Sequence, residues 1–77
     1  MSDDKLIEHL KAAASESGFG SQSALARAAK RGRSTVSEWM KGKYRPDCAA
    51  LMNMDAEARR KRLKIRFDPR ELRPELF

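Results

Sequence analysis

Seventy-seven residues with a formal net charge of +6 make one domain over 1–77, with a small core and little stability to spare. No run approaches the roughly 18 consecutive apolar residues needed to cross a membrane, and a single cysteine excludes an internal disulfide. Aliphatic residues and alanine dominate and glycine is scarce, which favours an all-α fold, a compact bundle of about five short helices.

The acidic start Met1-Ser2-Asp3-Asp4 lacks the basic and apolar regions of a secretory signal, so a cytoplasmic protein is expected. Ser2 and Asp3 are candidate N-caps for a first helix. Leu6, Ile7, Leu10, Ala13 and Ala14 recur at three- and four-residue spacing and predict an amphipathic helix over 4–15. His9 falls on its polar side and reads as a surface histidine. Ser17-Gly18-Phe19-Gly20 ends the helix, with Phe19 folding back onto the core.

Ser21 is the N-cap of a second helix over 22–29, where Leu25, Ala26 and Ala29 form an apolar stripe. Lys30-Arg31-Gly32 interrupts the pattern. It resumes over 33–41, with Gly32 as N-cap and Val36, Trp39 and Met40 pointing inward. Gly42 stops this third helix, because glycine tolerates a left-handed backbone. Two helices joined by a turn of three or four residues form a helix-turn-helix unit.

A basic loop follows, with Lys41, Lys43, Tyr44 and Arg45, and Pro46 turns the chain. Asp47 is the expected N-cap of another helix carrying Cys48, Leu51, Met52 and Met54, residues suited to a core or a subunit contact. Asp55-Ala56-Glu57-Ala58 is expected to open a further helical segment, which runs into Arg59-Arg60-Lys61-Arg62. That basic run reads equally as a contact to a polyanion's phosphates or as a solvated face. Leu63, Ile65 and Phe67 alternate with Lys64 and Arg66, which suits a short strand at 63–67 if a partner strand exists. Asp68-Pro69 reads as N-cap and first position of a last helical turn, and Leu72, Leu76 and Phe77 are expected to pack back on the domain or onto a partner.

Divided along the chain, the charge is uneven. Residues 1–26 carry a net −2, residues 27–45 a net +6, and residues 46–77 a net +2. The positive excess therefore lies on the paired helices and the loop after them, the electrostatic footprint of a nucleic-acid binder.

Gln22, Ser23, Ala24, Leu25 and Ala26, then Ser34, Thr35, Val36, Ser37, Trp39 and the closing Lys41-Gly42, carry a resemblance. The stretch 21–42 resembles the helix-turn-helix of the phage Cro and repressor family, and the ending around Leu72-Arg73-Pro74 resembles the tails of small Cro-like and antitoxin-like regulators. The resemblance implies a lambda-repressor-like DNA-binding domain whose second motif helix enters the major groove and reads base edges. It also implies that Gln22 meets a phosphate. The turn departs from the family pattern, with lysine at position 30 where glycine is usual and arginine at 31 where a small hydrophobic residue is usual. Either Lys30 takes the left-handed conformation, at a cost of roughly 1 kcal/mol, or Gly32 absorbs the strain by shifting the turn one residue. Both arrangements leave Lys30 and Arg31 as exposed cations near the DNA backbone.

On this reading Arg33, Ser34, Ser37 and Glu38 reach base edges. Arg33 suits a bidentate contact to guanine, and Ser34 can pair with several bases. Glu38 either accepts from a cytosine amine or orients Arg33 or Lys41. Gln22, Lys30, Arg31, Lys41, Lys43, Tyr44 and Arg45 make the phosphate contacts, which supply affinity and register without sequence preference.

The expected function is a sequence-specific double-stranded DNA-binding regulator, a Cro-like repressor. One helix-turn-helix reads few base pairs, so a homodimer on half-sites roughly 34 Å apart is expected. Its contact surface is either the 51–54 patch or the 63–77 tail, and control is through its own concentration. The alternatives are an antitoxin-like adaptor that binds a protein partner and a nonspecific RNA or nucleoid binder. No catalytic residues, cofactor, metal or small-molecule ligand are expected, because His9 is the only histidine and no nucleophile has a base beside it.

Overall fold

Leu6, Leu10 and Ala13 come onto one side of the first helix, α1 (Asp3–Ala13), and that side is buried. The computed structural model describes residues 3–76, and these are all-helical. After α1 come α2 (Gln22–Ala29), α3 (Arg33–Met40), α4 (Cys48–Arg60), α5 (Pro69–Leu72) and a final 3₁₀ turn, Pro74–Leu76. The expected cap Ser2 and the terminal Phe77 lie outside the described residues. Asp3 belongs to the helix itself, not to its cap. No helix among the described residues is long and apolar enough to cross a membrane.

The arrangement centres on α2. It packs against both α3 and α4, α1 covers α3, and α5 rests on α4. Leu25, Ala26, Ala28 and Ala29 are buried on α2, and the small volume of the three alanines lets its neighbours approach closely. Ala50, Leu51, Met54 and Ala58 form the inward stripe of α4.

α1 ends at Ala13, two residues before the expected limit, because the chain doubles back on its last turn. The Phe19 amide donates to the Ala13 carbonyl at 2.7 Å, and the Gly18 amide donates to that of Ser15 at 2.9 Å. A Cβ on Gly18 would lie 2.3 Å from the Ala13 oxygen, so only glycine fits there.

α4 runs unbroken through Asp55, so no separate segment opens there. The Asp55 carboxylate instead reaches across the chain. Its Oδ1 accepts the Phe67 amide at 3.0 Å and its Oδ2 accepts from Arg59 at 2.8 Å. Burial pushes this carboxyl up, but the Phe67 amide, Arg59 and Arg66 outweigh that and hold it below its usual value.

No strand forms at 63–67; the segment is irregular and finds no strand to pair with. The alternation still marks which side faces in. Leu63 and Ile65 are half-buried against the core, and Phe67 is the largest fully buried side chain. The Phe67 ring stacks near Phe19 with centroids 6.2 Å apart and meets His9 edge-on at 5.2 Å. His9 is therefore not a free surface residue. Its Nε2 lies 2.7 Å from the Arg66 carbonyl, which can only accept, so Nε2–H donates and ties α1 to this segment. Asp68 caps α5 as expected, accepting the Arg70 amide, with Pro69 at the first helical position.

Candidate nucleic-acid interface

The hydroxyl of Ser21, in extended backbone, accepts the Ala24 amide at 3.1 Å and starts α2. Gln22 follows, exposed at the first helical position. At the other end Lys30 has φ 58° and ψ 41°, the left-handed conformation. The Lys30 amide bonds the Arg27 carbonyl and the Arg31 amide bonds that of Ala26, at 3.1 and 3.0 Å. This pair of bonds is a Schellman motif. Lysine itself takes the position usually given to glycine. Gly32, at φ −71° and ψ 157°, is ordinary extended backbone and caps α3 without shifting the turn.

Val36 and Trp39 are buried on α3 and Met40 is half-buried, as the helical period requires. Arg33 and Ser34 are left exposed at its start, with Ser37 and Glu38 half-buried. Among the described residues Arg33 has no hydrogen bond or ion pair, so its guanidinium is available to an outside acceptor. Glu38 is bonded to neither Arg33 nor Lys41.

A second Schellman motif closes α3. The Gly42 amide reaches the Trp39 carbonyl at 3.1 Å and the Lys43 amide reaches that of Glu38 at 3.0 Å, with Gly42 at φ 77°. This turn throws Lys41, Lys43, Tyr44 and Arg45 out into solvent. Lys43 Nζ stands 5.6 Å over the Tyr44 ring, a cation–π contact that keeps both side chains on the loop's outer face.

Two of the expected phosphate contacts are engaged within the chain. Arg31 Nη2 donates to Asp47 Oδ2 at 2.9 Å, and its Nη1 donates to the Lys30 carbonyl. Asp47 occupies the N-cap position of α4 without making a cap hydrogen bond, since its carboxylate turns to Arg31. Burial pushes that carboxyl up, but Arg31 and nearby backbone amides outweigh it and leave it below its usual value. Arg45 Nη1 donates to Glu75 Oε1 at 2.8 Å. Arg73 Nε donates to the same oxygen at 2.9 Å, and Arg73 Nη1 bonds the Pro46 carbonyl at 3.1 Å. Sequence reasoning missed Arg73 and Glu75 here. Position 75 lies thirty residues beyond Arg45, and no local spacing signals the contact.

The basic run after α4 carries its own counter-charges. Arg59 pairs with Asp55 and Arg60 with Glu57, at 2.8 and 2.6 Å. Lys61 lies over the Phe19 ring, and Arg62 closes α4 at φ 59°. Of the expected subunit-contact residues, Leu51, Met54 and Leu72 are spent in the core, whereas Met52 is 59% exposed and Leu76 46% exposed.

No family model, curated protein or solved structure matches this chain.

Proposed function

We propose that this protein is a sequence-specific double-stranded DNA-binding regulator that lays α3 in the major groove. The observation that carries this reading is a coincidence of place. The exposed start of α3 lies within the stretch 27–45 that holds a net charge of +6. An eight-residue helix is about 12 Å long, comparable to the width of the major groove.

In this role Arg33 meets guanine through its fork, Ser34 and Ser37 meet neighbouring base edges, and Glu38 accepts from a cytosine amine. Lys30, Lys41, Lys43 and Tyr44 lie along the phosphates, and Gln22 meets a phosphate at the start of α2, where backbone amides face outward. The reading needs no catalytic residue, cofactor or metal. The protein acts in the cytoplasm as a homodimer on a two-fold symmetric operator, repressing by occupancy. With Leu51 and Met54 inside the fold, self-association falls to the exposed side chains Met52 and Leu76.

One feature favours a second reading, an antitoxin-like adaptor. Met52, Ala56, Phe67 and Pro69 line an open groove of about 680 Å³ beside Arg59 and Glu71, able to take a segment of another protein. A stoichiometric protein that copurifies and displaces DNA distinguishes it.

Selection of sites from random duplex DNA tests the main reading. Enrichment of a short inverted repeat is expected. Arg33→Ala should then relax one base position in each half-site, while Lys43→Ala weakens all sequences alike and lowers the salt slope by about 1. Binding without enrichment, or equal effects of both substitutions on operator and random DNA, refutes base reading by α3.

A further inference from the structure

We infer that Arg45 and Arg73 form a clamp for a DNA backbone phosphate, and that Glu75 occupies it as an internal stand-in while the protein is free. The inference rests on the DNA-binding reading above and adds to it both a contact residue, Arg73, and a built-in competitor.

The geometry is that of an anion site already filled. Two guanidinium groups converge on one oxygen, with Arg45 Nη1 and Arg73 Nε at 2.8 and 2.9 Å from Glu75 Oε1. Arginine forks match carboxylate and phosphate oxygens alike, so a ligand of either type satisfies the same donors. A phosphodiester offers two unesterified oxygens and a full negative charge. It can therefore take both guanidiniums where Glu75 presents one oxygen to them.

Arg73 is placed independently of its acidic neighbour. Its Nη1 is anchored on the Pro46 carbonyl at 3.1 Å, and only 19% of its side chain is exposed. Pro46 is itself fully buried, so the anchor is rigid. Arg45 belongs to the basic loop that Gly42 turns out of α3 and that carries Lys43 and Tyr44. The clamp is thus continuous with the proposed phosphate-contacting surface.

The stand-in, by contrast, is easily displaced. Glu75 lies in a three-residue 3₁₀ turn that contributes no buried residue, and its side chain is 42% exposed. Its own backbone amide and Arg73, with Arg45 adding to them, hold its carboxyl down at about 2. Its bonds to the two guanidiniums are charge-assisted and lie at the surface, where a rival anion can replace them.

The test is duplex binding by Glu75→Gln beside wild type, measured by fluorescence anisotropy on operator and random DNA across salt. Glu75→Gln should bind both duplexes about two- to fivefold more tightly at low salt, the range set by an exposed ion pair. The operator-to-random ratio should stay unchanged, since a phosphate contact carries no sequence information. The gain should shrink as salt rises, and adding Arg73→Gln should abolish it. Thermal melts matched to wild type exclude a folding effect, and Glu75→Ala serves as a second variant. Wild-type binding with no gain, or a loss, in Glu75→Gln overturns the clamp alone and makes Glu75 a support for Arg45. Absence of duplex binding by both proteins overturns the DNA reading and the clamp with it. A gain in Glu75→Gln that persists when Arg73→Gln is added also overturns the clamp, since the gain then does not come through Arg73.

Discussion

Replacing Lys30 with glycine should stabilise the fold and weaken DNA binding at the same time. Lys30 sits at φ 58° and ψ 41°, where an L side chain costs about 1–2 kcal/mol. Glycine removes that cost but loses about 0.5–1 kcal/mol through its freer unfolded chain. Taking the middle of both ranges, the net gain is about 0.75 kcal/mol, or about 3–6 °C in melting temperature for a domain this small. Lys30→Ala is the matched control, since alanine keeps the strained backbone and removes the same charge. It should leave stability within about 0.5 kcal/mol of wild type. Both variants should lose one phosphate contact and lower the salt slope by about 0.9. Thermal unfolding by circular dichroism and anisotropy titrations separate the two effects. A melting temperature that does not rise in Lys30→Gly, or rises equally in Lys30→Ala, refutes the strain argument. An unchanged salt slope in both removes Lys30 from the interface.

Gly18→Ala drives a Cβ onto the Ala13 carbonyl, 2.3 Å away. It should cost about 2–3 kcal/mol, seen as a lower urea midpoint at unchanged slope. Asp55→Ala leaves the Phe67 amide without its acceptor and should cost about 1–3 kcal/mol, with Asp55→Asn costing less because its amide oxygen can still accept. The same carboxyl sets a pH dependence. Its value is lowered in the fold, so its contribution is complete above the unfolded carboxylate range and disappears as pH falls through the folded value. Stability should therefore be flat from about pH 7 to pH 5 and fall below about pH 4, less steeply in Asp55→Asn.

The helices were legible because their signals are local. Ser21, Gly42 and Asp68-Pro69 mark boundaries through hydrogen bonds and backbone angles that involve only near neighbours. The inward faces of α2 and α3 followed from the helical period alone. What escaped the sequence depends on distant partners. The alternation at 63–67 gave the buried side correctly, but a strand requires another strand, and the amide of Phe67 found Asp55 instead. Asp55 read as a helix opening for the same reason, since acids favour first turns and nothing nearby showed its long reach. His9 looked free because Arg66, 57 residues away, is invisible to a helical wheel. At the proposed interface the exposed start of α3 was readable, whereas the engagement of Arg31 by Asp47 and of Arg45 by Glu75 was not.

The position of Phe67 also ties completion of the core to the last part of the chain. All of α1 to α4 precede it in the chain, yet its fully buried ring, its Asp55 latch and the His9 tie all wait for that segment. During synthesis the earlier helices emerge without that ring, and a fragment ending before it should leave the sides of His9 and Phe19 that Phe67 covers open to water. A fragment ending before Phe67 should therefore be more open to proteolysis than the full chain.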